Sequence, residues 1–388
     1  TRNTHLQIMG STLFRMAGSA APFTTPAQLR INGANLATGG TMYGVYARFD
    51  STDSFLAEQH FPNDPEGNLY ACFRDAGEAD LRYLGTNPSS YNRSYLKETN
   101  GSAADWSDIM HLADVLNNAP EATYFQEVGK VINVPQWLRY IALDSLLSNY
   151  ETGLNRGIGD DYFLYRGVTD PRFVLLPHDL DSILGTGGAP LDLSIFSVVR
   201  GAPGYNGVDG LQRFFAHPEV IPRYYQAMLD LIDEFYNPET LDPLVDRFLG
   251  GFAPQDRLNT IKQHVRSRTA AVLAQIPQAL TVDRAPPLGS DFLRSTNTAI
   301  ALSGKAHAGQ TRSVQVNGQP TLWSAIDAAW SIRAVRVDPG LNRVVVQAFD
   351  VGGREIDRTA VDVWCEGCAI TTKTGGILSV DETWTPGA

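Results

Sequence analysis

The sequence predicts an α+β domain over residues 1–290, followed by a small all-β sandwich over 291–388. Three observations carry this. Helix-period and strand-period segments are mixed, without regular alternation, through the first three quarters of the chain. The composition shifts at "TVDRAPPLGSDFLRS" (281–295). Beyond it, short strand-like runs are divided by strong turn signals. The length of 388 residues is itself too great for one ordinary domain.

The elements follow in order. Residues 4–18 carry Leu6, Met9, Leu13 and Met16 at helical spacing. "AQLRINGANLATGGTMYGVYARFD" reads as strands around Gly-rich turns. "FLAEQHF" is a short helix, and "NDPEGNLY" turns into a strand. In 105–118, Trp106, Ile109, Leu112, Ala113 and Leu116 mark a helix. The clearest helix is "NVPQWLRYIALDSLLSN" (133–149): Asn133 suits its cap, Pro135 its first turn, and Leu138, Ile141, Ala142, Ser145 and Leu146 form one face. A polar segment, "NYETGLNRGIGDD" (149–161), leads to a hairpin of "YFLYR" and "RFVLLP" about the turn "GVTDP". Helices are expected over 218–236, 239–249 and 255–275. The sandwich strands are "RSVQV", "SIRAVRV", "NRVVVQAF" and "RTAVDVW", punctuated by Asn317-Gly318, Asp338-Pro339-Gly340 and Gly352-Gly353.

Hydrophobic residues make up 43% and charged residues 19%, a globular balance. No apolar run reaches the roughly 18 residues of a membrane span. The net charge is −11: up to Ser295 there are 23 Lys/Arg against 33 Asp/Glu (−10), and from Thr296 onward 8 against 9 (−1). An acidic surface without a basic stripe argues against nucleic acid as partner. It leaves room for a small phosphate ligand that arrives with a divalent metal. The chain opens on Thr1 with no signal-peptide pattern, which implies a removed leader or a longer parent.

Cys365 and Cys368 form a lone CxxC after a strand, and Cys72 stands apart. Without a second ligand pair the motif fits a local disulfide or inert thiols better than zinc. A disulfide would point to an oxidising, extracytoplasmic setting.

The chemistry gathers at "FVLLPHDLDSILG" (173–185), where Asp179 and Asp181 follow an apolar strand. A helix, a polar loop, a hairpin and an acidic exit come in the order of parts used for phosphoryl transfer in protein kinases. One carboxylate group holds the metal on the phosphates, and a loop carboxylate orients the attacking hydroxyl. The bland alternative is that Asp179 and Asp181 are turn or cap residues. No G-x-S-x-G, H-E-x-x-H, Walker loop or calcium loop occurs.

The run "NYETGLNRGIGDDYFLYR…RFVLLPHDLDSILG", with the upstream "NG…MYGVY" and "GNLY" segments, resembles the CotH family of spore-coat kinases over roughly residues 5–285. The resemblance implies an atypical protein-kinase-like fold that transfers phosphate from ATP, with Mg²⁺ or Mn²⁺, to Ser/Thr of secreted or surface proteins. Asp179 and Asp181 fall on the family's metal-binding pair and Asn149 on its loop Asn. Glu151 falls where the catalytic Asp is expected. Asn155 is a candidate loop metal ligand, and Asp161 stands where Asn is usual. His178 replaces Trp, and Arg48 replaces an acidic residue. The segment with the nucleotide-binding Lys would lie upstream of Thr1. The fold expected overall is a CotH-type domain followed by an immunoglobulin-like sandwich, at a bacterial cell surface or outside the cell. Partners would be metal–ATP and a protein acceptor or neighbouring surface protein. Two rival functions stand beside catalysis. One is a catalytically degenerate structural or adhesive component. The other is carbohydrate binding by the sandwich through Trp323 and Trp330, although buried Trp is the commoner fate.

Overall fold

The computed structural model describes residues 3–35, 45–74, 78–150, 153–283 and 293–366. The chain divides into two compact units, Thr1–Pro277 and Gln278–Ala388. The first is a mixed helix-and-strand body, and the second is all β. Residues 281–283 already belong to the β unit: Thr281 N–H donates to Lys305 O and Asp283 N–H to Ser303 O.

The first unit is organised around a four-stranded antiparallel sheet in the order Tyr95–Lys97, Asn68–Cys72, Tyr162–Arg166, Val174–Pro177. The last two strands are the expected hairpin, in register Tyr162↔Pro177 to Tyr165↔Val174. Their residues are buried on both faces, which explains the continuous apolar run in the sequence. Among the described residues no further strand lies beside the outer strand Val174–Pro177. The helix Val134–Leu146 covers that edge instead. Gln136 works as a surrogate strand: its Nε2 donates to Leu175 O at 2.7 Å and its Oε1 accepts from Leu175 N–H at 2.9 Å. Trp137 Nε1 donates to Phe173 O at 2.8 Å.

That helix begins as its sequence dictates. Asn133 Oδ1 accepts the Gln136 N–H at 3.3 Å, and Pro135 occupies the first turn, where its missing N–H is not needed. Apart from Pro135, Gln136 and Arg139 the whole helix is buried. The helix Val220–Glu234 packs along it. The helices Pro238–Leu249 and Gln255–Leu273 pack on each other. The first helix, Thr4–Met16, has ten of 13 residues buried. A short helix, Gly153–Arg156, interrupts the segment read as polar loop.

In the second unit, a five-stranded sheet and a three-stranded sheet enclose one core of Val314, Val316, Trp330, Val335, Val344, Val346 and Val363 among others. Asn317 and Gly318 (φ 47° and 76°) make the left-handed turn of a tight hairpin, and the Asn317 side chain accepts the Val345 N–H at 2.8 Å. Trp330 is 1% exposed, so its ring serves the core rather than a sugar, and Trp323 packs against that core. Cys365 ends the strand Glu355–Cys365 and is disulfide-bonded; Cys72 is free and buried. Cys368 lies outside the described residues.

Candidate active site

The site is built on the carboxyl end of the helix Val134–Leu146. The last carbonyls of any helix lack intrahelical donors and need others. Here tertiary donors supply them. Leu147 O accepts the Leu184 N–H at 2.8 Å. Leu146 O accepts the Tyr236 hydroxyl at 2.7 Å. Ser145 O accepts Arg268 Nη2 at 3.0 Å. Arg268 is fully buried and also donates to Leu191 O and Leu193 O, both at 2.7 Å. One side chain thus ties the helix end to the chain that follows the acidic turn.

The turn itself alternates. Leu180, Ile183 and Leu184 are buried, while Asp179, Asp181 and Ser182 are half-buried. The apolar residues are anchors that hold the two carboxylates at the rim. Leu180 and Ile183 pack on Gly10 of the first helix, where a Cβ would come within 2.8 Å of both side chains. One helical turn earlier, Gln7 Nε2 donates to Asp179 Oδ1 at 2.7 Å. Asp179 takes φ +35°, a left-handed conformation that Asp tolerates better than most residues. Ser182 Oγ donates to Asp181 Oδ1 at 3.2 Å.

The other expected residues fall into two groups. Asp161 meets His178 across the mouth of the hairpin, with Nδ1–Oδ1 at 3.4 Å, next in sequence to Asp179. His178 stands edge-on to Phe73 and Phe163. Asn149 and Asn155 are joined to one another inside the core: Asn155 Nδ2 donates to Asn149 O at 3.1 Å. The Asn155 oxygen, by which it would ligate a cation, accepts from Ser197 Oγ at 3.0 Å. Asn149 Nδ2 donates to Asp144 Oδ1 at 2.9 Å. Glu151 lies outside the described residues. Among the described residues, no group of three His, Cys, Asp or Glu is placed to hold a metal ion.

Sequence reasoning missed Gln7, Asp144 and Arg268. Burial pushes the Asp144 carboxyl up to about 7, against smaller opposing effects of the Asn149 side chain and the Asn155 N–H. Its signal was present as a lone acid in "YIALDSLL", a helix apolar on nearly every side. Gln7 and Arg268 left no local signal, because each acts on chain far away in sequence.

A family model described as "CotH kinase protein" matches residues 9–272. Inner spore coat protein H of Bacillus subtilis (strain 168) is 28% identical over 174 residues, which are 44% of this chain and 44% of that protein. The match therefore spans less than half the length of that relative.

Proposed function

Because the chain belongs to the CotH kinase protein family, we propose that its first unit transfers a phosphoryl group from metal-bound ATP to Ser or Thr of a neighbouring protein. The observation that carries this is the acidic turn. Two carboxylates flank a buried Leu180, and Gln7, Leu147 and the close approach of Gly10 hold the turn in place. Asp179 and Asp181 would hold Mg²⁺ or Mn²⁺. The donor chemistry suits a hard cation that takes one or two protein carboxylates and completes its shell with water and phosphate oxygens. When bound, such an ion neutralises charge on the transferring phosphate. Gln7 orients Asp179 by its hydrogen bond. Glu151, from its place in the sequence, would accept the proton of the attacking hydroxyl. Asp161 would serve at the cofactor side, beside His178. Asn149 and Asn155 contribute by joining to one another on either side of Glu151 in sequence.

A second reading has its own support. The relative is named a coat protein, and Asn155 is engaged by protein groups. On that reading the fold is a structural component of a surface assembly. We take the second unit as immunoglobulin-like from its two sheets around one core, and the disulfide at Cys365 supports an oxidising surface location.

Incubation of the full chain with labelled ATP and Mg²⁺ tests the kinase reading. The expected result is labelling that Asp179→Ala abolishes, with a melting temperature that Mg·ATP raises in the wild type alone. Neither labelling nor a nucleotide-dependent shift in the wild type would leave the structural reading.

A further inference from the structure

Two polar atoms near the helix end find no partner although both are buried: Asp144 Oδ2 and Asn149 Oδ1. They belong to the two side chains already joined by Asn149 Nδ2–H···Oδ1 of Asp144 at 2.9 Å. An ionised carboxylate would leave both as acceptors, with no donor between them, in a place that is 1% and 0% exposed. Such an arrangement is costly in a dry interior. One proton on Asp144 Oδ2 would turn that atom into a donor, and a carboxylic acid and a carboxamide already joined by one hydrogen bond can close a second.

The surroundings favour the neutral form. On its own helix Asp144 faces Tyr140, and from the helix Val220–Glu234 it faces Tyr224. Both phenols are pushed to higher values by burial, so each stays neutral. From the helix Gln255–Leu273, Arg268 directs its N–H groups to Ser145, Leu191 and Leu193 rather than to Asp144. The Asn155 N–H and the Asn149 amide are the groups that oppose protonation, and desolvation outweighs them.

We propose that Asp144 is a neutral acid that forms a cyclic, two-hydrogen-bond pair with the Asn149 carboxamide, and that this pair fixes Asn149 and, through its carbonyl, Asn155, the residues that flank Glu151 in sequence. It rests on the kinase reading only for what the loop is for. Asp144 is a positioning residue: it fixes Asn149 directly and Asn155 through the Asn149 carbonyl, so both ends of the loop answer to one carboxyl. Proton loss would break one of the two bonds and loosen the hold on Asn149 and Asn155.

The test uses the full chain. In the wild type, the ¹³Cγ resonance of Asp144 is followed with pH. A protonated side chain at pH 6 is expected, and titration complete below pH 5 would overturn the proposal. Asp144→Asn supplies the same neutral donor–acceptor pair permanently. It should keep hydrogen-exchange protection of the 149–157 amides within about twofold of wild type at pH 6 and exceed the wild type at pH 8.5. Asp144→Ala should lose that protection about tenfold or more at both pH values. Equal loss in Asp144→Asn and Asp144→Ala at pH 6 would show that the charged form is needed, and would sink the pairing. None of these readouts depends on phosphotransfer, so a failed kinase assay and a failed pairing are told apart.

Discussion

Replacement of Arg268 by Ala is expected to destabilise the first unit by about 3 kcal/mol, near the upper end of what single substitutions do. Among the described residues the side chain makes its hydrogen bonds to uncharged oxygens, of Ser145, Leu191 and Leu193. A bond with a charged donor contributes about 1.5–3 kcal/mol, and a buried acceptor left bare costs about 1–3 kcal/mol. Those figures cannot simply be summed. Leu191 is 43% exposed, so water reaches its neighbourhood. Ser145 O keeps the Ser148 N–H at 3.1 Å, and Leu193 O keeps a long contact of 3.4 Å to Gln275. Among the described residues no carboxylate forms an ion pair with the guanidinium, and the attraction of Asp192 offsets only part of its burial, a desolvation cost that its removal relieves. What remains is about two buried bonds plus the packing of the stem. Urea unfolding followed by near-ultraviolet circular dichroism measures the shift. Arg268→Met separates the contributions: it keeps the stem, drops the charge and leaves the carbonyls bare. A loss below about 1 kcal/mol for Arg268→Ala would show that the helix end does not depend on these bonds.

Two further outcomes are expected. Gly10→Ala would ordinarily stabilise a helix by up to about 1 kcal/mol, but here the new methyl meets Leu180 and Ile183 at 2.8 Å. A net loss of about 1–2 kcal/mol and a weaker Mg·ATP-induced melting shift should follow, and a more stable protein with an unchanged shift would refute the tight contact. Burial lowers the His264 imidazole to about 4 from 6.5, with Arg268 adding to the effect. The folded state therefore prefers the neutral ring: this contribution is whole above pH 6.5 and drains away as pH falls towards 4, by at most about 3 kcal/mol. His264→Gln should flatten that acid limb in thermal unfolding, and an unchanged pH profile would rule it out.

Local chemistry made much of the fold legible. Asn133 and Pro135 announced a helix start, Asn317-Gly318 announced a hairpin, and the apolar run "FVLLP" is largely buried because helix and strand cover it. The acidic turn was legible for a related reason: alternation of Asp with Leu shows which side chains anchor and which stay at the rim. Hydrogen bonding in the site was not legible. Gln7 meets Asp179 across 172 residues, and Arg268 meets Ser145 across 123. No periodicity in a single sequence encodes such pairings. Asn149 and Asn155 were assigned from their place in the loop, and only coordinates show that their amides close on Asp144, Ser197 and the Asn149 backbone carbonyl.

The docking of the first helix onto the acidic turn also bears on biosynthesis. Synthesis runs from the amino end, yet Gln7 and Gly10 of this largely buried helix meet Asp179, Leu180 and Ile183, which are made some 170 positions later. Until then a greasy segment waits without shelter, open to aggregation or to a chaperone. Loss of the helix Thr4–Met16 would strip Leu180 and Ile183 of their contact with Gly10, so deletions within that helix should lower yield more than changes on exposed strands.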